Sequence, residues 1–142
     1  MVTKKNPPQL VYGLISDDVR NEVDRKTSLI GISTGDIVVP IIPHVFGKIC
    51  FHLVFKGVKG GDAIKVQLKG PSENSVASPV FDRIEIPKAV PEVVQEGTCV
   101  LQLIMGLLGI KEEGVYHLLF FLNDEEKVFG NFDFRVKAQR TE

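Results

Sequence analysis

Apolar and polar residues alternate with a period of two along several short segments, which is typical of β-strands that bury one face. In residues 47–56 one face carries only apolar side chains, namely Ile49, Phe51, Leu53 and Phe55. Residues 63–69 and 127–137 alternate in the same way. An α-helix would scatter these apolar residues around its axis, so the pattern predicts strands.

The composition favours the same fold class. The chain has 19 Val, 12 Ile and 5 Thr against only 4 Ala, and side chains branched at Cβ fit a pleated sheet better than a helix. Thirteen Gly and 8 Pro supply turns at short intervals. At 142 residues, the length suits one domain.

We therefore predict an all-β fold, an antiparallel immunoglobulin-like β-sandwich of seven to nine strands in a single domain over residues 10–138. Residues 1–9 and 139–142 are expected to be flexible tails. Residues 57–62 are expected to link two neighbouring strands as a hairpin. Residues 36–42, which end in prolines, are expected at a sheet edge.

A second local pattern supports the sandwich. Gly114-Val115-Tyr116 opens an apolar segment near the end of the chain, and Gly-x-Tyr at the start of a strand is typical of a tyrosine corner. In that motif the phenol hydroxyl bonds to backbone a few residues upstream. The alternative is that Tyr116 is an ordinary aromatic residue of the strand. Position 118 is Leu, which excludes the disulfide-type immunoglobulin domain.

Three N-terminal segments carry a specific set of residues. They read Asp17-Asp-Val-Arg20, Ser28-Leu-Ile-Gly31 and Val39-Pro40, and Gly114-Val-Tyr116 follows later. With this set the chain resembles a family of small uncharacterised bacterial β-sandwich proteins over most of residues 10–137. The resemblance implies a cytoplasmic domain without assigned activity, and it supplies no catalytic residues. Ser16 stands where such sequences often have Cys.

The most charged segment surrounds Asp17, Asp18, Arg20 and Asp24. The three aspartates suggest an end-loop site for a ligand or a divalent cation such as Ca²⁺, which prefers oxygen ligands. Basic residues interleave with the acids, however, and the twelve-residue calcium loop is missing. The favoured alternative is structural: Asp17 and Asp18 accept hydrogen bonds from turn amides, and Arg20 pairs with one of them.

Catalytic and metal-binding patterns are weak. His52, His117, Cys50 and Asp133 would share one face if their strands were neighbours, but the close ligand pairs of structural zinc sites are missing. Phosphate-loop, nucleophile-elbow and zinc-protease motifs do not occur. We therefore predict no enzyme, no cofactor and no metal.

Charge and hydropathy exclude other classes. The net charge of −1 gives no electrostatic basis for binding nucleic acid or a membrane surface. The longest uncharged stretch, residues 97–110, is shorter than the ~20 residues of a membrane helix. Two cysteines give no disulfide framework, and a cytoplasmic location is expected.

The best functional indication is an apolar surface. If residues 48–56, 115–122 and 127–137 form one sheet, its outer face carries an apolar group beside His117: Val54, Leu119, Phe121 and Phe129. Monomers seldom expose such a patch. We therefore predict a protein-interaction domain, either a homo-oligomer or a partner of another protein. A covering loop at residues 87–96 is the alternative.

Overall fold

The computed structural model describes residues 7–73, 75–76, 81–86 and 98–140. Ten strands form in this part of the chain: β1 (Gln9–Ser16), β2 (Asp18–Asn21), β3 (Thr27–Ile30), β4 (Ile37–Val39), β5 (His44–Lys56), β6 (Ala63–Lys69), β7 (Phe81–Glu85), β8 (Thr98–Ile110), β9 (Gly114–Leu122) and β10 (Val128–Ala138). The only helical element described is one 3₁₀ turn, Val23–Arg25. The predicted all-β fold is confirmed.

Two sheets pack face to face and a hairpin is added to them. One sheet has the order β1-β5-β8, the second has the order β4-β10-β9-β6-β7, and β2 pairs with β3. All pairs are antiparallel except β4 with β10, which is parallel. β4 lies at the edge of its sheet, as the prolines after it predict.

The core lies between the two sheets and is rich in aromatic residues. From β5, Phe55 contacts Phe120 edge-to-face with ring centroids 5.0 Å apart. Phe51 lies 5.5 Å from Phe134 of β10. The predicted inward-facing residues of β5 and β6 are all buried: Ile49, Phe51, Leu53, Phe55, Ile64, Val66 and Leu68. The period-two pattern therefore identifies the core face of both strands.

The pairing of the strands differs from the prediction in two places. β5 lies in the three-stranded sheet and β6 in the five-stranded sheet, so residues 57–62 cross between the sheets and do not close a hairpin. For the same reason β5 does not share a sheet with β9 and β10. Alternation places a side chain on a face but carries no information about the neighbouring strand.

The domain extends one residue beyond each predicted boundary. Gln9 pairs with Lys56 in the β1–β5 ladder. The Gln139 amide donates a hydrogen bond to the Val39 carbonyl over 2.7 Å. The predicted loop at residues 87–96 lies outside the described residues, as do residues 1–6 and 141–142 of the two tails.

Candidate interaction surface

The predicted interface residues do not form one surface. Val54 is buried on β5, in the three-stranded sheet. Leu119, Phe121 and His117 do share the outer face of β9, in the five-stranded sheet. All three are half-buried. The predicted set is therefore divided between opposite sides of the sandwich.

Phe129 was predicted to face outward and instead contacts the core. A register shift between Val128 and Gly130 inserts an extra residue into β10, which changes the face on which Phe129 lies. Its ring centroid lies 5.8 Å from that of Phe55 and 6.2 Å from that of Phe120. The prediction for Phe129 is wrong because period-two counting cannot detect a bulge.

The outer face of the five-stranded sheet is mainly polar. Leu119 lies between Gln67 of β6 and Asn131 of β10, and Lys65 is opposite Phe121. His117 Nδ1 lies 2.6 Å from Asp133 Oδ1, and Asn131 donates to the same oxygen. Burial raises the pKa of Asp133, but these two hydrogen bonds outweigh it and leave the pKa below its usual value. Leu119 and Phe121 are therefore a small apolar island in a charged surface.

The three-stranded sheet has the more apolar outer face. Side chains that lie directly opposite one another form three rows across β1, β5 and β8, which together we call the open face: Tyr12–Val54–Val100, Leu14–His52–Gln102 and Ser16–Cys50–Ile104. Val100 is 52% exposed and Ile104 is 57% exposed, while Tyr12 is 49% exposed. Val54, in the central strand, is covered by these neighbours.

His52 lies in the middle of the open face. Its Nδ1 is buried and has no hydrogen-bond partner among the described residues. Its ring centroid lies 6.3 Å from that of Tyr12. Burial lowers the pKa of His52 below its usual value, so the imidazole is neutral at neutral pH. The neutral ring places no charge in the middle of the open face.

The β2–β3 hairpin lies against one end of the open face. Asp18 forms an ion pair with Lys48 of β5 over 2.5 Å. The Cys50 thiol lies 3.8 Å from the Asp17 carbonyl oxygen. Farther along the hairpin, Gln102 contacts Thr27 over 3.4 Å. Ser16 and Cys50 are consequently buried, while the row that begins at Tyr12 stays open.

The same contacts give the charged segment a structural role. Asp18 accepts a hydrogen bond from the Val19 amide, and both residues lie in β2 rather than in the predicted turn. Lys48, and not Arg20, is its ion-pair partner, because β5 passes beside the hairpin. The hydrogen bond from Lys48 lowers the pKa of Asp18 most, followed by that from Val19.

The two ligand sets that the sequence offers as alternatives are not assembled among the described residues. Asp17, Asp18 and Asp24 do not converge, and the described residues contain no group of three or more potential metal ligands. His52 and Cys50 lie on one sheet while His117 and Asp133 lie on the other. Cys50 and Cys99 are free, and burial raises the pKa of both thiols. Protonated buried thiols are poor nucleophiles.

The tyrosine corner forms at the start of β9. The Tyr116 hydroxyl donates a hydrogen bond to the Glu112 carbonyl over 2.7 Å, four residues upstream. Gly114 has a φ of 137°, and a Cβ at this position would lie 2.5 Å from Pro71. The Gly-x-Tyr pattern therefore predicts this contact correctly.

The sequence comparison then places the chain in a family. A model of a family of unknown function, DUF6941, matches residues 11–137. The chain belongs to this family. No curated protein matches it. The matched range runs from β1 to β10, so the open face and the tyrosine corner both lie inside the DUF6941 domain.

The signal for the open face is present in the sequence of this DUF6941 domain. The uncharged stretch at residues 97–110 contains the whole of β8. In the strand 48–56 the second face also carries Cys50 and Val54, which indicates a strand covered on both sides. Both features concern the three-stranded sheet.

No helix in the described part of the chain has the length and apolar character needed to cross a membrane.

Proposed function

We propose that this protein is a non-enzymatic interaction domain that forms a homodimer through its three-stranded sheet. The supporting observation is the position of its exposed apolar residues. β1 and β8, the two outer strands of that sheet, carry five of them: Val11, Tyr12, Val100, Ile104 and Leu107. The described strands of the five-stranded sheet carry two, Val38 and Val128.

The energetic argument is one of area. Burying a half-exposed Val or Ile side chain contributes about 1 kcal/mol at ~25 cal/mol per Å². In a dimer with a two-fold axis every such contact occurs twice. Val100 and Ile104 of the two copies therefore contribute several kcal/mol together. A micromolar dissociation constant corresponds to a binding free energy of about −8 kcal/mol, so this contribution is a substantial part of it.

The location and the chemistry fit this proposal. The free buried cysteines suit a reducing cytoplasm. The three rows of the open face contain no Asp, Glu, Lys or Arg, so two copies meet there without repulsion between like charges. Charges surround the face at Asp18 and Lys48, where they pair with each other.

Matched substitutions on the two sheets test the proposal. Val100→Glu places a charge on the three-stranded sheet, and Val128→Glu makes the same change beside Phe121 on the five-stranded sheet. We expect wild type and Val128→Glu to sediment as dimers at micromolar concentration. For Val100→Glu we expect the dissociation constant of the dimer to be at least tenfold higher than that of wild type.

Two outcomes contradict the proposal. A wild-type protein that stays monomeric throughout the micromolar range removes the homodimer. If Val128→Glu dissociates the dimer and Val100→Glu does not, the interface lies on the five-stranded sheet beside Leu119 and Phe121. Circular dichroism of both variants separates these results from misfolding.

A further inference from the structure

Among the described residues, few pair with the outer edge of β8. β5 pairs with one side of β8 from Thr98 to Ile110. On the other side, the described residues pair with β8 only at its end, where Val76 forms a bridge with Ile110. Leu107, with a φ of 56°, ends the regular part of the strand. Residues 98–106 therefore present a row of unpaired backbone groups in the described structure.

The sequence of this edge lacks the charged residues and prolines that commonly protect exposed strands. Proteins block strand edges with charged residues, prolines, bulges or a covering segment, because an open edge is a template for another strand. Residues 98–106 contain neither a charged residue nor a proline. Their outward side chains include the half-exposed Val100 and Ile104. The sequence of this edge thus permits pairing with a further strand.

The edge is also chemically symmetric about Gln102. Leu101 and Leu103 flank it and are 5% and 4% exposed. The next residues, Val100 and Ile104, are both β-branched and both more than half exposed. Beyond them lie two buried sulfur-containing residues, Cys99 and Met105, each 7% exposed. Gln102 is the midpoint of residues 98–106, and the symmetry covers residues 99–105 of this edge.

We propose that the β8 strands of two copies pair antiparallel across a two-fold axis at Gln102, which joins their three-stranded sheets into one six-stranded sheet. This inference rests on the proposed homodimer and specifies its geometry. Val100 lies opposite Ile104 of the second copy, twice, and the two Gln102 side chains meet at the axis. Such β-branched pairs stabilise antiparallel sheets.

The symmetry favours a second copy over an unrelated strand. Any extended segment satisfies the backbone of an open edge, but only an identical antiparallel strand uses a sequence that reads alike in both directions. The nine residues span about 30 Å and form about eight to ten backbone hydrogen bonds between the copies. Contact along one edge is smaller than a standard interface of ~1,600 Å², so we expect micromolar affinity.

Charged substitutions at Gln102 test whether the two-fold axis of the dimer passes through this residue. The side chain of Gln102 is half-buried and its contact with Thr27 is long, so substitution leaves the fold intact. Gln102→Lys and Gln102→Glu each place two like charges at the axis, and we expect each to weaken the dimer at least tenfold. Mixing the two variants pairs opposite charges and is expected to restore the affinity to within about threefold of wild type. Gln67, a half-buried glutamine on the other sheet, is the matched control.

A cross-linking measurement supplements the exchange. Gln102→Cys places two thiols on adjacent strands across the axis, about 5 Å apart at Cβ, and copper-phenanthroline is expected to join them into a covalent dimer. Gln67→Cys is expected to stay monomeric on denaturing gels. If wild type dimerises while the Gln102 variants dimerise equally well and do not cross-link, the edge geometry is wrong and the proposed function stands. If wild type is monomeric, both the proposed homodimer and the proposed pairing of its β8 strands are wrong.

Discussion

At the scale of single residues, His52 couples the open face to pH. Burial lowers its pKa below the usual value of 6.5, so the folded protein keeps the ring neutral where the unfolded chain takes up a proton. The free energy of unfolding therefore falls as the pH drops below about 6.5. His52→Gln is expected to lose less stability between pH 7.5 and pH 5.5 in urea titrations. Equal losses in the two proteins contradict the assignment.

Tyr116 makes the second residue-scale contribution. Its ring is fully buried and stacks on Phe134, and its hydroxyl bonds to the Glu112 carbonyl. Tyr116→Phe is expected to lower the free energy of unfolding by about 1–2 kcal/mol, because the buried carbonyl loses its donor. The same change at the half-exposed Tyr12 is expected to cost under about 0.5 kcal/mol. Similar costs at both positions mean that the corner hydrogen bond contributes nothing specific.

At the scale of elements, the β2–β3 hairpin depends on Gly31. This residue has a φ of 70°, and a Cβ there would lie 2.3 Å from Asp17 Oδ2. Gly31→Ala is expected to destabilise the protein by about 1–2 kcal/mol, mainly through the left-handed backbone, since the exposed Asp17 can rotate away. Gly35→Ala meets no atom within 4 Å and serves as the control. Chemical denaturation compares the two, and equal stabilities contradict the role given to Gly31.

The elements also show how far the sequence can predict this structure. Alternation identifies β5, β6, β9 and most of β10, because one face of each enters the core. The same pattern cannot assign β5 to a different sheet from β9, since that choice depends on contacts distant in sequence. β2 has four residues and little apolar alternation, so it was read as a charged loop.

The predicted interface residues are divided between two surfaces for the same reason. Leu119 and Phe121 were correctly placed on an outer face, but Val54 was combined with them on the assumption of a shared sheet. By itself, the uncharged stretch at residues 97–110 excludes a membrane helix but does not show which edge of a sheet it forms. Once β8 is known to be an edge strand, that stretch becomes the most informative segment of the chain.

At the scale of the whole molecule, the two sheets have different surfaces. The outer face of the five-stranded sheet carries ion pairs and amides around a small apolar island, which suits contact with water. The three-stranded sheet has a half-exposed apolar face and an open uncharged edge. In the proposed dimer the two β8 edges pair, and the side chains of Val100 and Ile104 lie against the second copy. We therefore expect association to protect the β8 edge of the three-stranded sheet from solvent.

Amide hydrogen exchange at two protein concentrations measures that protection most directly. Peptides that cover β8 residues 98–106 are expected to exchange more slowly at 100 μM than at 1 μM, since about half of their amides point away from β5 and gain partners on association. Peptides from β9 and β10 are expected to exchange equally at both concentrations. Exchange in β8 that does not depend on concentration, or slowing confined to β9 and β10, contradicts the account.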